Sequence, residues 1–304
     1  MAVAAAGLAS VQESELGRRS EIGSGGMARV YAVPDFILPE LPGGSFVYKK
    51  YRSKIRPIPA YGLSQLVRFY GGLDPAQRER FDRSFNWPVR VVLDGNDGAA
   101  GVILPLLPEP FFLTLRLGSG ARKRKPAEAQ FLFKDSSYCA RVAIPFPDEQ
   151  QRRALCRSLT YALGLLDRAD VVYGDLSARN FLFRIQPRPA VMLVDCDAVR
   201  PHGGASALGH QPHSPDWEPP EALLARRRKD SGGYSVQNKA TDRYKLGLAI
   251  LRILTPGDGC STNIDPAAAR PHLPLNLYTL LQRSLSEDPT ARPAARDWYR
   301  EFTQ

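Results

Sequence analysis

Cysteine is scarce in this chain of 304 residues: Cys139, Cys156, Cys196 and Cys260 stand far apart, and no two of them form a CxxC pair. That excludes a simple zinc module, offers no disulfide framework, and makes a reducing cytoplasm the expected setting. Long apolar runs are missing too. None approaches the roughly 20 residues that a membrane-spanning helix needs, so no membrane partner is expected. The Ala-rich stretch from Met1 to Gly7 lacks both the basic start and the long apolar stretch of a secretory signal. No internal repeat is evident.

What is present suits a globular chain. Hydrophobic residues make up 43% and charged residues 24%, enough to bury a full core in one large bilobal domain or two small ones. The net charge of +10, from 41 basic and 31 acidic side chains, is of the kind that attracts nucleic acid or acidic proteins. Two basic clusters contribute, Arg122-Lys123-Arg124-Lys125 and Arg226-Arg227-Arg228-Lys229. Each follows a plausible loop or helix end, and no aromatic residues interleave as a base-stacking surface requires. They read as solvated surface, with docking of an acidic partner as the sharper alternative. No nucleic-acid recognition motif accompanies them.

The pattern changes along the chain. Residues 1–13 read as a flexible tail and 14–107 as strands and hairpins. Within the latter, 46–51 is aromatic and β-branched, 61–70 has helical spacing, and Asp74-Pro75 opens a second short helix. Residues 89–93 and 99–104 flank Asp94-Gly95-Asn96-Asp97-Gly98 as a hairpin. Pro105, Pro108 and Pro110 suit a hinge. From there to residue 304 the pattern is mainly helical, with helices over about 147–169, 242–254, 275–285 and 294–302. Two short strands, 180–183 and 191–194, interrupt it. A β-rich part followed by an α-rich part predicts an α+β chain of two lobes, 14–107 and 108–304, with a cleft between them.

Four separated elements carry phosphate chemistry, and none is specific by itself. In Gly23-Ser24-Gly25-Gly26-Met27-Ala28-Arg29-Val30 the glycines let backbone N–H groups approach phosphate oxygens, although Ala28 stands at the third glycine of GxGxxG. A plain hairpin turn explains the same residues. Lys49 shares a strand face with Val47, where it would reach phosphates while Val47 packs on a base; an exposed strand lysine is the bland alternative. In Tyr173-Gly174-Asp175-Leu176-Ser177-Ala178-Arg179-Asn180, Asp175 is placed to accept or orient the hydrogen of an attacking hydroxyl, and Asn180 to offer oxygen to magnesium. Apolar runs frame this loop on both sides. Finally, Asp195 ends the apolar run Val191-Met192-Leu193-Val194, 20 residues beyond Asp175, where a carboxylate meets a hard cation or simply starts a turn.

Order and spacing together resemble the protein kinase family from about Ser14 to Phe302. Gly23 to Val30 is similar to the glycine-rich loop, Val47-Tyr48-Lys49 to the lysine strand, Gly174-Asp175 through Asn180 to the catalytic loop, and Asp195-Cys196-Asp197 to Asp-Phe-Gly. Pro219-Pro220-Glu221 resembles Ala-Pro-Glu, Asp242 to Gly247 the start of the helix that anchors the catalytic loop, and Asp288 to Pro293 the late loop whose arginine pairs with that glutamate. A Glu221–Arg292 ion pair is therefore expected. Val-Asp-Cys-Asp and Trp-Glu-Pro-Pro-Glu look most like an atypical bacterial branch, the YegI-type. That branch is linked with a metal-dependent protein phosphatase and a von Willebrand A-domain protein as partners.

The resemblance implies a bilobal fold holding ATP and Mg2+, and γ-phosphoryl transfer to serine or threonine of a protein substrate. Asp175, Lys49 and Arg179 would be catalytic. Gly23, Ser24, Gly25, Gly26, Val30, Val47, Lys49, Leu104 and Leu182 would hold the nucleotide, and Asn180 and Asp195 the metal. The departures are Ala28, Gly174 in place of the arginine before the catalytic Asp, Ser177 in place of a lysine, and Asp197 in place of glycine. Arg179 is the expected supplier of the missing charge. No helix glutamate for Lys49 stands out between Gln65 and Glu79, with Glu79 the expected partner. A pseudokinase that binds nucleotide as a docking module, and a small-molecule phosphotransferase of the aminoglycoside-kinase type, remain the alternatives.

Overall fold

Alternation in the first third of the chain builds one sheet, and helical spacing dominates thereafter. The computed structural model describes residues 9–95, 98–209 and 213–304. The described chain is mixed α+β, sheet-rich in its N-terminal part and helical in its C-terminal part. It divides into two compact units: the first runs up to Leu107 and takes in Asp195–Ala198 and Ala205–Gly209, and the second comprises Pro108–Val194, Val199–Gly204 and 213–304. The two short segments that join the first unit break the simple division into 14–107 and 108–304.

The first unit is a six-stranded sheet of β1 (Ser10–Gln12), β2 (Ser20–Ser24), β3 (Ala28–Ala32), β4 (Phe46–Tyr51), β5 (Arg90–Leu93) and β6 (Ala99–Pro105), in the order β1-β5-β6-β4-β3-β2. The tail expected over 1–13 is thus wrong for its last residues. Ser10–Gln12 pairs parallel with β5, Ser10 opposite Val91, because Ala9 and Leu16 on either side are buried and pin the segment to the sheet. Residues 1–8 of that tail, and Asn96 and Asp97 of the expected hairpin turn, lie outside the described residues. β4 is a central strand, antiparallel to β3 and β6, and its register sets Lys49 opposite Val30 on one side and Val102 on the other.

Among its described residues two α-helices accompany the sheet, α1 (Ala60–Gly71) and α2 (Pro75–Asp82). α1 buries Leu63, Leu66, Val67 and Tyr70. α2 starts where the Asp74 carboxylate accepts from Gln77 N at 2.8 Å and the Gln77 side chain accepts from Asp74 N at 3.1 Å, a reciprocal cap that satisfies two otherwise orphan donors. Trp87, buried among Phe69, Phe81 and Phe85, donates its indole N–H to Leu66 O at 2.9 Å and so ties α1 to the strand that follows.

The second unit begins with a two-stranded hairpin, β7 (Phe112–Arg116) and β8 (Arg122–Pro126), followed by α3 (Ser136–Val142) and α4 (Glu149–Arg168). Asp148 caps α4, which buries Leu155, Leu159, Ala162, Leu163 and Leu166 on one face. Next come β9 (Val171–Val172), the antiparallel pair β10 (Phe181–Arg184) and β11 (Ala190–Leu193), and β12 (Arg200–Pro201), which pairs with β9. The remaining helices are α5 (Pro220–Arg227), α6 (Ser231–Tyr234), α7 (Lys239–Leu254), α8 (Leu275–Ser284) and α9 (Ala295–Thr303). α7 is buried on every face from Tyr244 to Leu254, as a helix at the centre of a core must be.

The first basic cluster forms β8 itself, with Arg122 to Lys125 exposed, and the second closes α5. All four cysteines are buried thiols outside any disulfide. No helix among the described residues is long and apolar enough to cross a membrane.

Candidate functional site

The glycine turn lies between β2 and β3, with an extra residue bulged out of β2 between Glu21 and Gly23. Gly25 N donates to Ala28 O at 2.8 Å and closes the turn. Ser24, Gly25 and Gly26 are exposed, and Val30 is half-buried. Arg52, just past β4, clasps the turn: its Nε donates to Gly25 O and its guanidinium to Ser24 Oγ, both at 2.8 Å, while its own N–H reaches Met27 O at 2.9 Å. Nothing local in the sequence marks Arg52 for this. Val47 and Leu104 are buried cross-strand partners on β4 and β6.

Lys49 is the centre of the first unit's polar chemistry. Its ammonium donates to Asp195 Oδ1 at 2.9 Å and to Asp197 Oδ1 at 2.8 Å. Burial opposes the charge on Lys49, but the Asp195 and Asp197 carboxylates outweigh it and raise its pKa. The two acids differ in setting. Asp195, held in the left-handed region at φ 55°, has a side chain 54% exposed, whereas the Asp197 side chain is 0% exposed. The second Asp197 oxygen accepts from Tyr51 OH at 2.8 Å, and burial followed by Asp197 pushes the Tyr51 phenol far above its ordinary pKa. Cys196 between the two acids is fully buried, which raises its thiol pKa as well.

Glu79, expected as the partner of Lys49, is not. It sits on the exposed side of α2 and pairs with Arg83 one turn on. Gln65 is exposed on α1. The carboxylates facing Lys49 are Asp195 and Asp197, the latter a departure from glycine in the sequence pattern.

The second unit holds the other half of the expected residues. Asn180 donates its Nδ2 to both the carbonyl and the Oδ2 of Asp175 at 2.7 Å. Two acceptors on one side require the NH2 end there, so the amide oxygen is directed away from Asp175. Ser214 Oγ donates to Asp175 Oδ1 at 2.9 Å. It lies 39 residues further along, and no local pattern announced it. The loop hangs from α7: Asp242 accepts from Tyr173 N at 2.7 Å and Gly174 N at 2.9 Å. Burial raises the Asp242 pKa, opposed by Lys245 and those two N–H groups. Tyr173 OH bridges the Asn180 and Val194 carbonyls, which fixes the end of β11 relative to the loop.

Gly174 has a physical reason. Its φ is +83°, and a Cβ there would come 2.3 Å from Gln237 Oε1, an atom that Arg200 holds by a 2.9 Å hydrogen bond. No arginine fits at this position. Arg179, expected to supply the missing charge, is exposed. The cation beside the loop is Lys245, fully buried on α7 and donating to Gly174 O. Burial lowers its pKa, and the Asp242 and Asp175 charges hold it up. Leu182 is buried on β10 opposite Met192, and Ser177 is buried in the loop. The expected Glu221–Arg292 pair is present and bidentate, with both contacts at 2.7 Å.

Among the described residues no group of three His, Cys, Asp or Glu side chains is placed to hold a metal ion on its own. A magnesium ion that arrives with phosphates needs only one or two protein oxygens, and each unit offers an oxygen of the hard kind it takes, the exposed carboxylate of Asp195 in the first and the amide oxygen of Asn180 in the second. No protein-family model matches the chain, and no curated protein matches it either.

Proposed function

We propose that this chain is an ATP- and Mg2+-dependent protein kinase that transfers the γ-phosphoryl group to serine or threonine of a protein substrate. The reading includes a bilobal fold of the protein-kinase kind. The glycine turn, Val30, Val47, Leu104, Lys49 and Asp195 belong to the sheet-rich unit, and Asp175, Asn180 and Leu182 to the helical one. The observation that carries it is the Lys49–Asp195 contact at 2.9 Å, between a lysine and an acid 146 residues apart in sequence. A strand lysine and a turn aspartate with independent structural roles have no reason to meet.

Phosphoryl transfer asks the protein for positioning and charge neutralisation rather than covalent chemistry. Bound magnesium would neutralise charge on the β- and γ-phosphates, with Asn180 and Asp195 as its protein ligands. Lys49 orients the phosphates from β4. The glycine turn, held in place by Arg52, would lie over the same oxygens. Asp175, kept in one orientation by Asn180, accepts the hydrogen of the substrate hydroxyl. Asp242 and Lys245 hold the backbone on which Asp175 sits.

A second reading, a nucleotide-binding module without transfer, draws on one observation: both Asp175 oxygens already have donors, Asn180 on one and Ser214 on the other. Incubation of the purified chain with γ-labelled ATP and magnesium, beside Asp195→Asn, separates the two. Label on serine or threonine in the wild type alone supports the kinase. A magnesium-dependent thermal shift with ATP but no label in any protein supports the module, and label on a small alcohol instead of protein supports a small-molecule phosphotransferase.

A further inference from the structure

The polar core of the first unit contains a carboxylate that the proposed reaction does not yet use. Asp197 is fully buried, and a buried carboxylate is stable only when paired and hydrogen-bonded. Both its oxygens are satisfied from one strand. Side chains on β4 alternate between faces, so Lys49 and Tyr51 lie on the same face and grip the two oxygens separately, each at 2.8 Å. Tyr51 is itself only 1% exposed, so the grip is rigid and dry.

Asp195 binds the same ammonium but is built differently. Its carboxylate is half-exposed, so water and solutes reach it while the Lys49 end of the pair stays buried. When Asp195 turns to another cation, Lys49 still has Asp197. The helices of this unit offer no substitute. α1 contains no acid, Glu79 on α2 is paired with Arg83, and Asp82 on α2 accepts from Tyr70 OH at 2.7 Å. The segment that carries Asp197 is anchored within the same unit. Ser206 Oγ donates to Ala198 O at 2.9 Å, and Ala207 packs so closely on α1 that a Cβ at Gly62 would lie 2.8 Å from its own.

We propose that Asp197 is the positioning residue for Lys49: with Tyr51 it fixes the ammonium from within the Asp195–Ala198 segment, in place of a helix carboxylate, and leaves Asp195 free to exchange partners. For its effect on catalysis this rests on the phosphotransfer reading; for the state of Lys49 it does not.

The test reads Lys49 directly, without nucleotide. The folded protein is acetylated by an N-hydroxysuccinimide ester, and mass spectrometry follows the rate at Lys49 with exposed Lys123 as internal reference. Asp197→Asn is expected to raise the Lys49 rate about 10-fold or more and Tyr51→Phe several-fold, while Asp195→Asn, which also removes a charge beside the ammonium, should raise it less than Asp197→Asn. Steady-state kinetics with ATP supplies the second readout. Misplacing the lysine in Asp197→Asn should lower kcat about 100-fold with a much smaller change in KM. If Asp197→Asn does not fold, Tyr51→Phe decides, since it removes only one donor to the same carboxylate. A Lys49 rate that rises in Asp195→Asn and stays at the wild-type level in Asp197→Asn or Tyr51→Phe overturns the proposal. The expected labelling pattern in a protein that transfers no phosphate would instead retain the role of Asp197 and reject the kinase reading.

Discussion

Replacing Glu221 with alanine strands a guanidinium in the core of the second unit. The Arg292 side chain is 0% exposed, and its two terminal nitrogens donate to the two Glu221 oxygens at 2.7 Å. What remains after the change is the Ser286 and Ala240 carbonyls, at 3.1 to 3.2 Å, and the Tyr244 ring 5.0 Å away. Removing one partner of a buried pair costs about 3–5 kcal/mol, because the other charge is left uncompensated. Glu221 is 34% exposed, so water reaches the vacated place, and the carbonyls keep part of the solvation. The low end, about 3 kcal/mol, therefore applies. For a cooperative unit of this size that corresponds to a fall in Tm of about 6–12 °C. Scanning calorimetry of wild type, Glu221→Ala and Glu221→Gln should give that order of stability, with glutamine between because it keeps one acceptor oxygen. ATP affinity at 20 °C or so should be unchanged, since the pair touches none of the proposed nucleotide residues. A Glu221→Ala melting curve that overlays the wild type refutes the reasoning, as does glutamine falling below alanine.

Gly174→Ala should destabilise the chain by more than the usual cost of about 1 kcal/mol for alanine at positive φ, because the new Cβ also meets Gln237 Oε1 at 2.3 Å. Adding Gln237→Ala should restore part of the loss, and denaturant unfolding that finds no recovery contradicts the contact. His213 is 2% exposed, and burial, helped by Lys245 and Arg200, lowers its pKa from 6.5 to about 3. The folded state keeps it neutral while the unfolded state takes a proton below its ordinary pKa. Its contribution is therefore fully present above pH 6.5 and is lost, at about 1.4 kcal/mol per pH unit, as pH falls toward 3. His213→Gln should flatten that part of the stability profile, and an unchanged slope between pH 6 and 4 or so counts against it. Asp195→Asn should weaken magnesium-dependent ATP binding by about 10-fold or more, measured by calorimetric titration; equal affinity removes Asp195 from the metal.

Local order was readable wherever one short stretch contained its own reason. The caps at Asp74 and Asp148, the apolar face of α4 and the aromatic strand β4 all follow from residues within a turn or two of each other. Lys49, Asp175, Asn180 and Asp195 stood out because each combines a reactive group with an apolar frame. The failures have a common cause, which is that the deciding partner is distant in sequence. Arg122 to Lys125 form a strand although charged residues favour loops, because the pairing with Phe112–Arg116 and exposure on β8 cost little. α7 begins at Lys239 rather than Asp242, since Asn238 accepts from Thr241 N and caps it earlier. The sequence points to a helix for the partner of Lys49, yet only the fold brings Lys49 and Tyr51 to the two oxygens of Asp197. Ser214 and Arg52 meet their targets through tertiary structure alone.

The most direct test of the central claim is transfer by Asp175→Asn under single-turnover conditions with γ-labelled ATP and magnesium, beside a calorimetric titration of ATP binding to the same protein. Losing the group that accepts the substrate hydrogen should slow transfer by about 10²–10⁴-fold while leaving ATP affinity within a few-fold of wild type. Wild-type transfer by Asp175→Asn, or a wild-type chain that binds magnesium–ATP and labels nothing, contradicts a kinase that works through Asp175.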